Sequence, residues 1–152
     1  MRELSKDAKR FNRITQFLGR LAQRPHHGVT TWLLTTLLAK LTLLSKKGSK
    51  QGTPEAITEE WLRMFPRGIC SLDRIEDGTG YGLVHADCSL VGTGNVQACY
   101  KMMNYDRELI KKLGGTLTVV ESRADPAVTK HCRVAIRPIG DKRTDLIPAH
   151  LL

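Results

Sequence analysis

The chain has 152 residues, of which 41% are hydrophobic, 26% charged and 5% aromatic. That length fits one ordinary domain with a short appendage, and the apolar content is enough for a packed core, which excludes global disorder. The formal net charge of +9 points to phosphates, anionic surfaces or acidic proteins as partners, whereas so few aromatic residues argue against a broad base-stacking platform.

The charge is unevenly placed. Residues 1–50 carry 11 Lys/Arg and 2 Asp/Glu, and residues 51–152 carry 13 of each, so the whole excess lies in the first third. The expected organisation is therefore a basic helical segment over 1–50 and an α+β domain over 51–152. The opening Met1-Arg2-Glu3-Leu4-Ser5-Lys6-Asp7 leads into no apolar stretch of a secretory signal. No run reaches about 18 uninterrupted apolar residues. Both points predict a cytoplasmic protein with no transmembrane span.

Residues 4–23 read as a helix, with Phe11, Ile14, Phe17, Leu18 and Leu21 at three- and four-residue steps and Lys9, Arg10, Arg13 and Arg20 elsewhere on the cylinder. Pro25-His26-His27-Gly28 breaks it. Residues 29–45 predict a second helix, and the two together a helical hairpin. Trp32, Leu33, Leu37, Leu41 and Leu44 form one stripe, while Lys40 and the paired threonines mark another side. The stripe predicts a core or dimer helix, with a homodimer as one outcome. An interfacial membrane helix is the alternative, and a bilayer span is not expected because the segment is too short and too polar.

Residues 46–53 read as a loop, Thr53-Pro54-Glu55 as a capped helix start, and Thr58-Glu59-Glu60 as the start or continuation of another helix. From residue 69 the period changes. Residues 69–76 and 81–86 predict a hairpin turned by Asp77-Gly78-Thr79-Gly80. Gly92-Thr93-Gly94 is a loop that lacks the remaining glycine of a dinucleotide fingerprint. Residues 95–113 predict one long helix, with Val96, Cys99, Met103, Ile110 and Leu113 on a stripe and Gly114-Gly115 as the stop. Residues 116–121 and 132–136 predict two more strands, and the tail after Pro138 reads as polar and peripheral. The result is an α+β arrangement in which the N-terminal helices precede a small antiparallel sheet, β-β-α-β-β, packed on the long helix.

Asp106 falls on the helical stripe that carries Cys99 and Met103. A carboxylate on a buried face costs several kcal/mol unless it is paired or hydrogen-bonded, so Asp106 has either a structural partner or a chemical task. Cys99 lies two turns earlier on the same face, about 10 Å along the axis, too far for contact with Asp106 but close enough to share a pocket. Cys88 sits where a strand runs into a glycine-containing loop, exposed enough for nucleophilic chemistry, with His85 and Asp87 beside it. His131 and Cys132 open the last strand. Cys70, Cys88, Cys99 and Cys132 form no Cys-x-x-Cys pair, so the zinc-ribbon and thioredoxin signatures are absent. No cofactor is expected, although a zinc site from Cys88, Cys99 and Cys132, with His85 or His131, is conceivable.

The run Cys88-Ser89-Leu90, then Cys99, Asp106, Leu113-Gly114-Gly115-Thr116-Leu117 and Cys132-Arg133-Val134 resembles the L-2-amino-thiazoline-4-carboxylate hydrolase family. More distantly, it is similar to the 4-vinyl-reductase-type small-molecule-binding domain, where a Val-Val-Glu strand precedes a cysteine as Val119-Val120-Glu121 precedes Cys132. The likeness spans residues 60–138. It departs from the families at Ser89, where they carry proline, at Val128-Thr129, where they carry a Gly-Asp turn, and at Ala124, where the vinyl-reductase type carries a further cysteine.

The resemblance implies a hydrolase that opens a C–N bond of a small thiazoline-like substrate. Cys88 or Cys99 would be the nucleophile or substrate contact, Asp106 the acid/base, and His85, Met103, His131 and Cys132 would bind substrate. Two other readings stand beside it. One is a non-catalytic module for a small hydrophobic or tetrapyrrole-like ligand. The other is an assembly factor whose basic helices hold an acidic protein partner or nucleic acid.

Overall fold

A computed structural model of the chain describes residues 3–152. Met1 and Arg2, the first two residues read for a leader, lie outside the described residues. The element order is α1 (Lys6–Gln23), α2 (Gly28–Lys46), α3 (Pro54–Arg63), β1 (Cys70–Glu76), β2 (Thr79–Val84), α4 (Val96–Met102), α5 (Asn104–Leu113), β3 (Gly115–Glu121) and β4 (Cys132–Pro138), closed by a 3-10 turn at Ala149–Leu151. The four strands form one antiparallel sheet in the order β1-β2-β4-β3. The fold is α+β, with the N-terminal helices preceding the sheet.

Local chemistry sets the ends of the elements. Ser5 and Thr53 accept the backbone N–H groups of Ala8 and Ala56 and so start α1 and α3, and Asn95 does the same for α4 through Ala98. Gly114, at φ 99°, stops α5 in the left-handed region where a Cβ is unfavourable. Asp77 and Gly78 both have positive φ, the geometry that closes a two-residue hairpin in register with the sheet twist.

The expected helix over 95–113 is two helices. Met103 has ψ 0°, well away from the helical value, and the chain bends there. The next residue, Asn104, turns its amide inward to donate to Thr35 Oγ1 and Thr36 Oγ1 of α2, both at 3.0 Å. The expected hairpin of N-terminal helices is also modified. Helix α1 packs chiefly on α4 and α2 chiefly on α5, with little contact between the two.

Helix α3 lies directly on the sheet because β2 carries glycines beneath it. A Cβ on Gly82 would come within 2.5 Å of the Trp61 ring, and Gly80 lies under Thr58 in the same way. Ile57, Thr58 and Trp61 are fully buried there. The core continues through Leu109, Ile110 and Leu113 of α5 onto Val134 and Ile136 of β4.

The opposite face of the sheet carries the C-terminal tail. Arg137 of β4, 5% exposed, donates to both carboxylate oxygens of Asp145 at 2.7 and 2.9 Å and to Thr79 Oγ1 at 2.8 Å. The segment after Pro138 lies at the surface, with most of its residues exposed, and is clamped across the sheet by a bidentate ion pair.

Helix α2 reverses the expected orientation. Thr31, Thr35 and Ala39 are buried, whereas Trp32, Leu33, Leu37, Leu41 and Leu44 are between 52% and 77% exposed. The leucine stripe is therefore not a core face. Thr42 shares a 2.8 Å hydrogen bond with the Tyr105 hydroxyl, and with the Asn104 bonds this makes the inner face of α2 a polar, satisfied contact. The helix also has the length and apolar composition of a membrane-crossing segment, contrary to the expectation that 29–45 is too short and too polar.

Candidate functional site

Between α1 and α2 on one side and α4, α5 and the ends of the strands on the other lies a cavity of about 150 Å³. It gathers residues far apart in sequence. Helix α1 contributes Phe11, Ile14, Thr15 and Leu18; α2 contributes Leu38 and Thr42; α4 and the bend contribute Cys99, Met102 and Met103; α5 contributes Tyr105 and Asp106. The loop after β2 brings Cys88, Leu90 and Val91, the segment after β3 brings Ser122, Arg123 and Ala124, and the start of β4 brings Cys132. Residues of the basic segment over 1–50 and of the domain over 51–152 thus line one cavity together.

The loop that carries Cys88 is held in place by α1. Asn12 Oδ1 accepts the Asp87 N–H at 2.9 Å, Gln16 Nε2 donates to Asp87 Oδ2 at 2.7 Å, and Ser89 Oγ donates to the Gln16 carbonyl at 2.9 Å. Its far end is tied to the opposite wall, where the Gly92 and Gly94 N–H groups donate to the carbonyls of Arg123 and Ala124.

Five of the expected site residues meet at the cavity: Cys88, Cys99, Met103, Asp106 and Cys132. His85 and His131 do not line it. Their rings meet edge-on with centroids 5.8 Å apart, and His85 Nε2 shares a 2.8 Å hydrogen bond with Ser71 Oγ. Partial burial, with His131 and Arg123 nearby, lowers the His85 pKa and favours the neutral ring.

The lining is almost wholly apolar, and this governs its ionisable groups. Burial pushes the Cys99 thiol up to about 12, against a weaker opposing pull from Ser122. Burial also raises the pKa of Cys88, although the Leu90 N–H lies 3.4 Å from its sulfur and partly offsets the rise. Both groups are thiols at neutral pH, and the thiolate is the nucleophilic form. Asp106 is 7% exposed. Burial lifts its pKa to about 7, opposed first by the hydrogen bond from Trp61 Nε1 at 3.1 Å. The structural partner of Asp106 is therefore Trp61, which the glycines of β2 allow to sit where it does. A carboxyl group that titrates near neutral pH is suited to proton transfer.

Sequence reasoning misses two sets of lining residues. Phe11, Phe65 and Tyr105 pack edge-on around the cavity, with Phe65 at 5.5 Å from Phe11 and 6.1 Å from Tyr105. Phe11 shares the apolar stripe of its helix with Ile14 and Leu18, but nothing in the spacing of Phe65 and Tyr105 marks them as wall residues. Arg123 is the second omission. Its terminal nitrogen donates to the Ala86 carbonyl, while its Nε is buried without a partner among the described residues. An arginine beside a strand end carries no sequence signal beyond its charge.

Among the described residues no group of three or more His, Cys, Asp or Glu side chains is placed to hold a metal ion. The zinc arrangement drawn from Cys88, Cys99 and Cys132 is not assembled, although all three face one cavity.

The class defined by this geometry is an α+β domain with a helix-roofed, apolar pocket. Compared with known proteins, the chain matches no family model, no curated protein and no solved structure.

Proposed function

We propose that the chain is a binding module for a small, largely apolar ligand held in the cavity between α1, α2 and α5. The observation that carries this reading is the lining itself, in which mostly apolar side chains form a partly open pocket of about 150 Å³. An enclosed apolar cavity of about that volume admits benzene, so this partly open pocket has room for a body of that size. The size favours a benzene-sized body over a tetrapyrrole. The unpartnered Nε of Arg123 supports a ligand with one acceptor group, such as a carboxylate, at that end.

Native mass spectrometry against the denatured mass tests retention of a natural ligand. Thermal unfolding with toluene and with benzoate tests the chemistry directly. Toluene is expected to raise the melting temperature, since a ligand at a hundred times its dissociation constant adds about 2.7 kcal/mol. Benzoate is expected to raise it further in the parent than in Arg123→Met. No surplus mass, and no shift with either compound, would sink the proposal.

One observation favours a second reading, hydrolysis of a thiazoline-like substrate in the same cavity. Asp106, with its pKa near 7, is suited to be the acid/base, whereas the raised thiol pKa values of Cys88 and Cys99 count against either as nucleophile. Turnover of such a substrate that disappears in Asp106→Asn, with ligand binding retained, would favour this reading.

A further inference from the structure

The cavity leaves the outer faces of α1 and α2 unused, and the two faces share an unusual chemistry. On α2 the outward side carries Val29, Leu33, Leu37, Leu41 and Leu44, each more than half exposed, with Trp32 at its flank. Single exposed apolar residues are ordinary, but a continuous apolar stripe along a helix of about 28 Å is not. The inner side of α2 is already committed to α5 through Thr31, Thr35 and Ala39 and the Asn104 and Tyr105 hydrogen bonds. The helix therefore cannot leave the fold to cross a bilayer without breaking those contacts.

The charge around this stripe is almost all of one sign, Asp7 in the first turn of α1 being the one carboxylate on the two helices. Residues 8–54 contain nine Lys/Arg and no Asp or Glu. Among the described residues, only Lys9 of those nine has an ion-pair partner, the exposed Glu3. Arg24 precedes α2, Lys46 closes it and Lys47 and Lys50 follow, so both ends of the apolar stripe are basic, and Lys40 stands exposed along it. Helix α1 adds an outward face of Arg10, Arg13 and Arg20 around the 53%-exposed Phe17.

We propose that the outer faces of α1 and α2 form a peripheral docking surface for an anionic lipid bilayer, with α2 lying in the interfacial plane. An apolar face flanked by lysine and arginine suits that environment: the leucines enter the acyl boundary while the long basic side chains reach the headgroups. A second copy of this chain fits less well. Any two-fold pairing along α2 sets one set of basic helix ends against another, and no carboxylate in residues 8–54 can answer them. Each basic side chain near an anionic surface contributes on the order of a five-fold gain in affinity.

The test is flotation of the full chain with phosphatidylcholine vesicles, with and without phosphatidylserine, alongside light scattering without lipid. The chain is expected to float with the phosphatidylserine vesicles at low salt, to be released as salt rises, and to ignore neutral vesicles. Trp32 fluorescence is expected to shift to the blue on binding, since the other tryptophan, Trp61, is already fully buried. The double variant Leu37→Glu with Leu41→Glu replaces exposed side chains, so it should fold and yet lose flotation. Lys40→Gln with Lys46→Gln and Lys47→Gln should bind on the order of a hundred-fold more weakly. Flotation that survives the leucine changes, or that is equal on neutral vesicles, would overturn the proposal. So would a parent chain that is dimeric, does not float, and becomes monomeric in the leucine variant, since α2 would then be an interface between copies.

Discussion

Helices α2 and α3 fill their most buried positions differently in the same molecule. Helix α3 sets Ile57 and Trp61 on a strand cleared by Gly80 and Gly82, in the usual apolar-inside arrangement. Helix α2 sets Thr31, Thr35 and Ala39 inward, with Leu34, Leu38 and Leu43 partly buried beside them, and leaves Leu33, Leu37, Leu41 and Leu44 outside. The difference lies in what each meets. The sheet presents a flat apolar surface to α3, whereas α5 presents Asn104 and Tyr105 to α2. A buried amide and phenol need partners, and an unpaired polar group in the interior costs about 1–3 kcal/mol. Threonine supplies those partners and is small enough for the helices to approach closely.

Removing the anchor of α3 should produce the largest effect. Trp61→Ala leaves a cavity against Gly82 and strips Asp106 of its hydrogen bond, so a loss of about 3–5 kcal/mol is expected in urea unfolding. A change of that size would confirm α3 as the stronger of the two contacts, and a loss below about 1 kcal/mol would remove the contrast.

Next in size is the effect of pH on Asp106. Its pKa in the fold is about 7 against an ordinary value of 3.8, so the native state holds the proton more tightly than the unfolded chain. The stability from this group is complete below about pH 4 and is lost as pH rises through 7, a fall of about 4 kcal/mol by linkage. Asp106→Asn should flatten that fall, which unfolding midpoints measured from pH 4 to pH 8 will show. An unchanged slope would mean that another group carries it.

The polar side of the comparison is tested by Thr35→Val. The Thr35 hydroxyl accepts from Asn104 and donates to the Thr31 carbonyl at 2.7 Å. Its loss leaves the Asn104 amide short of an acceptor, with an expected cost of about 1–2 kcal/mol. A stabilised Thr35→Val protein would mean that α2 is held by shape alone. The smallest effect is expected at the outer face, where Leu37→Ser should change stability by no more than about 0.5 kcal/mol. A larger loss without lipid would show that the stripe is already covered in solution.

Much of this architecture was legible in residue order because it depends on neighbours a few positions apart. The cap at Thr53, the Asp77-Gly78 turn and the stop at Gly114 act locally. The same is true of the helical spacing that puts Cys99, Met103 and Asp106 on one side of the 95–113 segment, and all three reach the cavity. The bend at Met103 was not legible, because its cause is an amide that bonds to α2, far away in sequence.

The sequence by itself thus determined the α+β class, the strands, the asymmetry of charge and the presence of several cavity residues on one helical face. Only the tertiary structure decided which side of α2 is buried, that α1 and α2 roof the cavity, that Arg123 and the aromatic wall belong to it, and that the tail is clamped by Arg137. The physical reason is the same in each case. Periodicity identifies which side chains share a face, but the chemistry of the surface that face meets decides whether it turns inward, and that surface is built from distant residues.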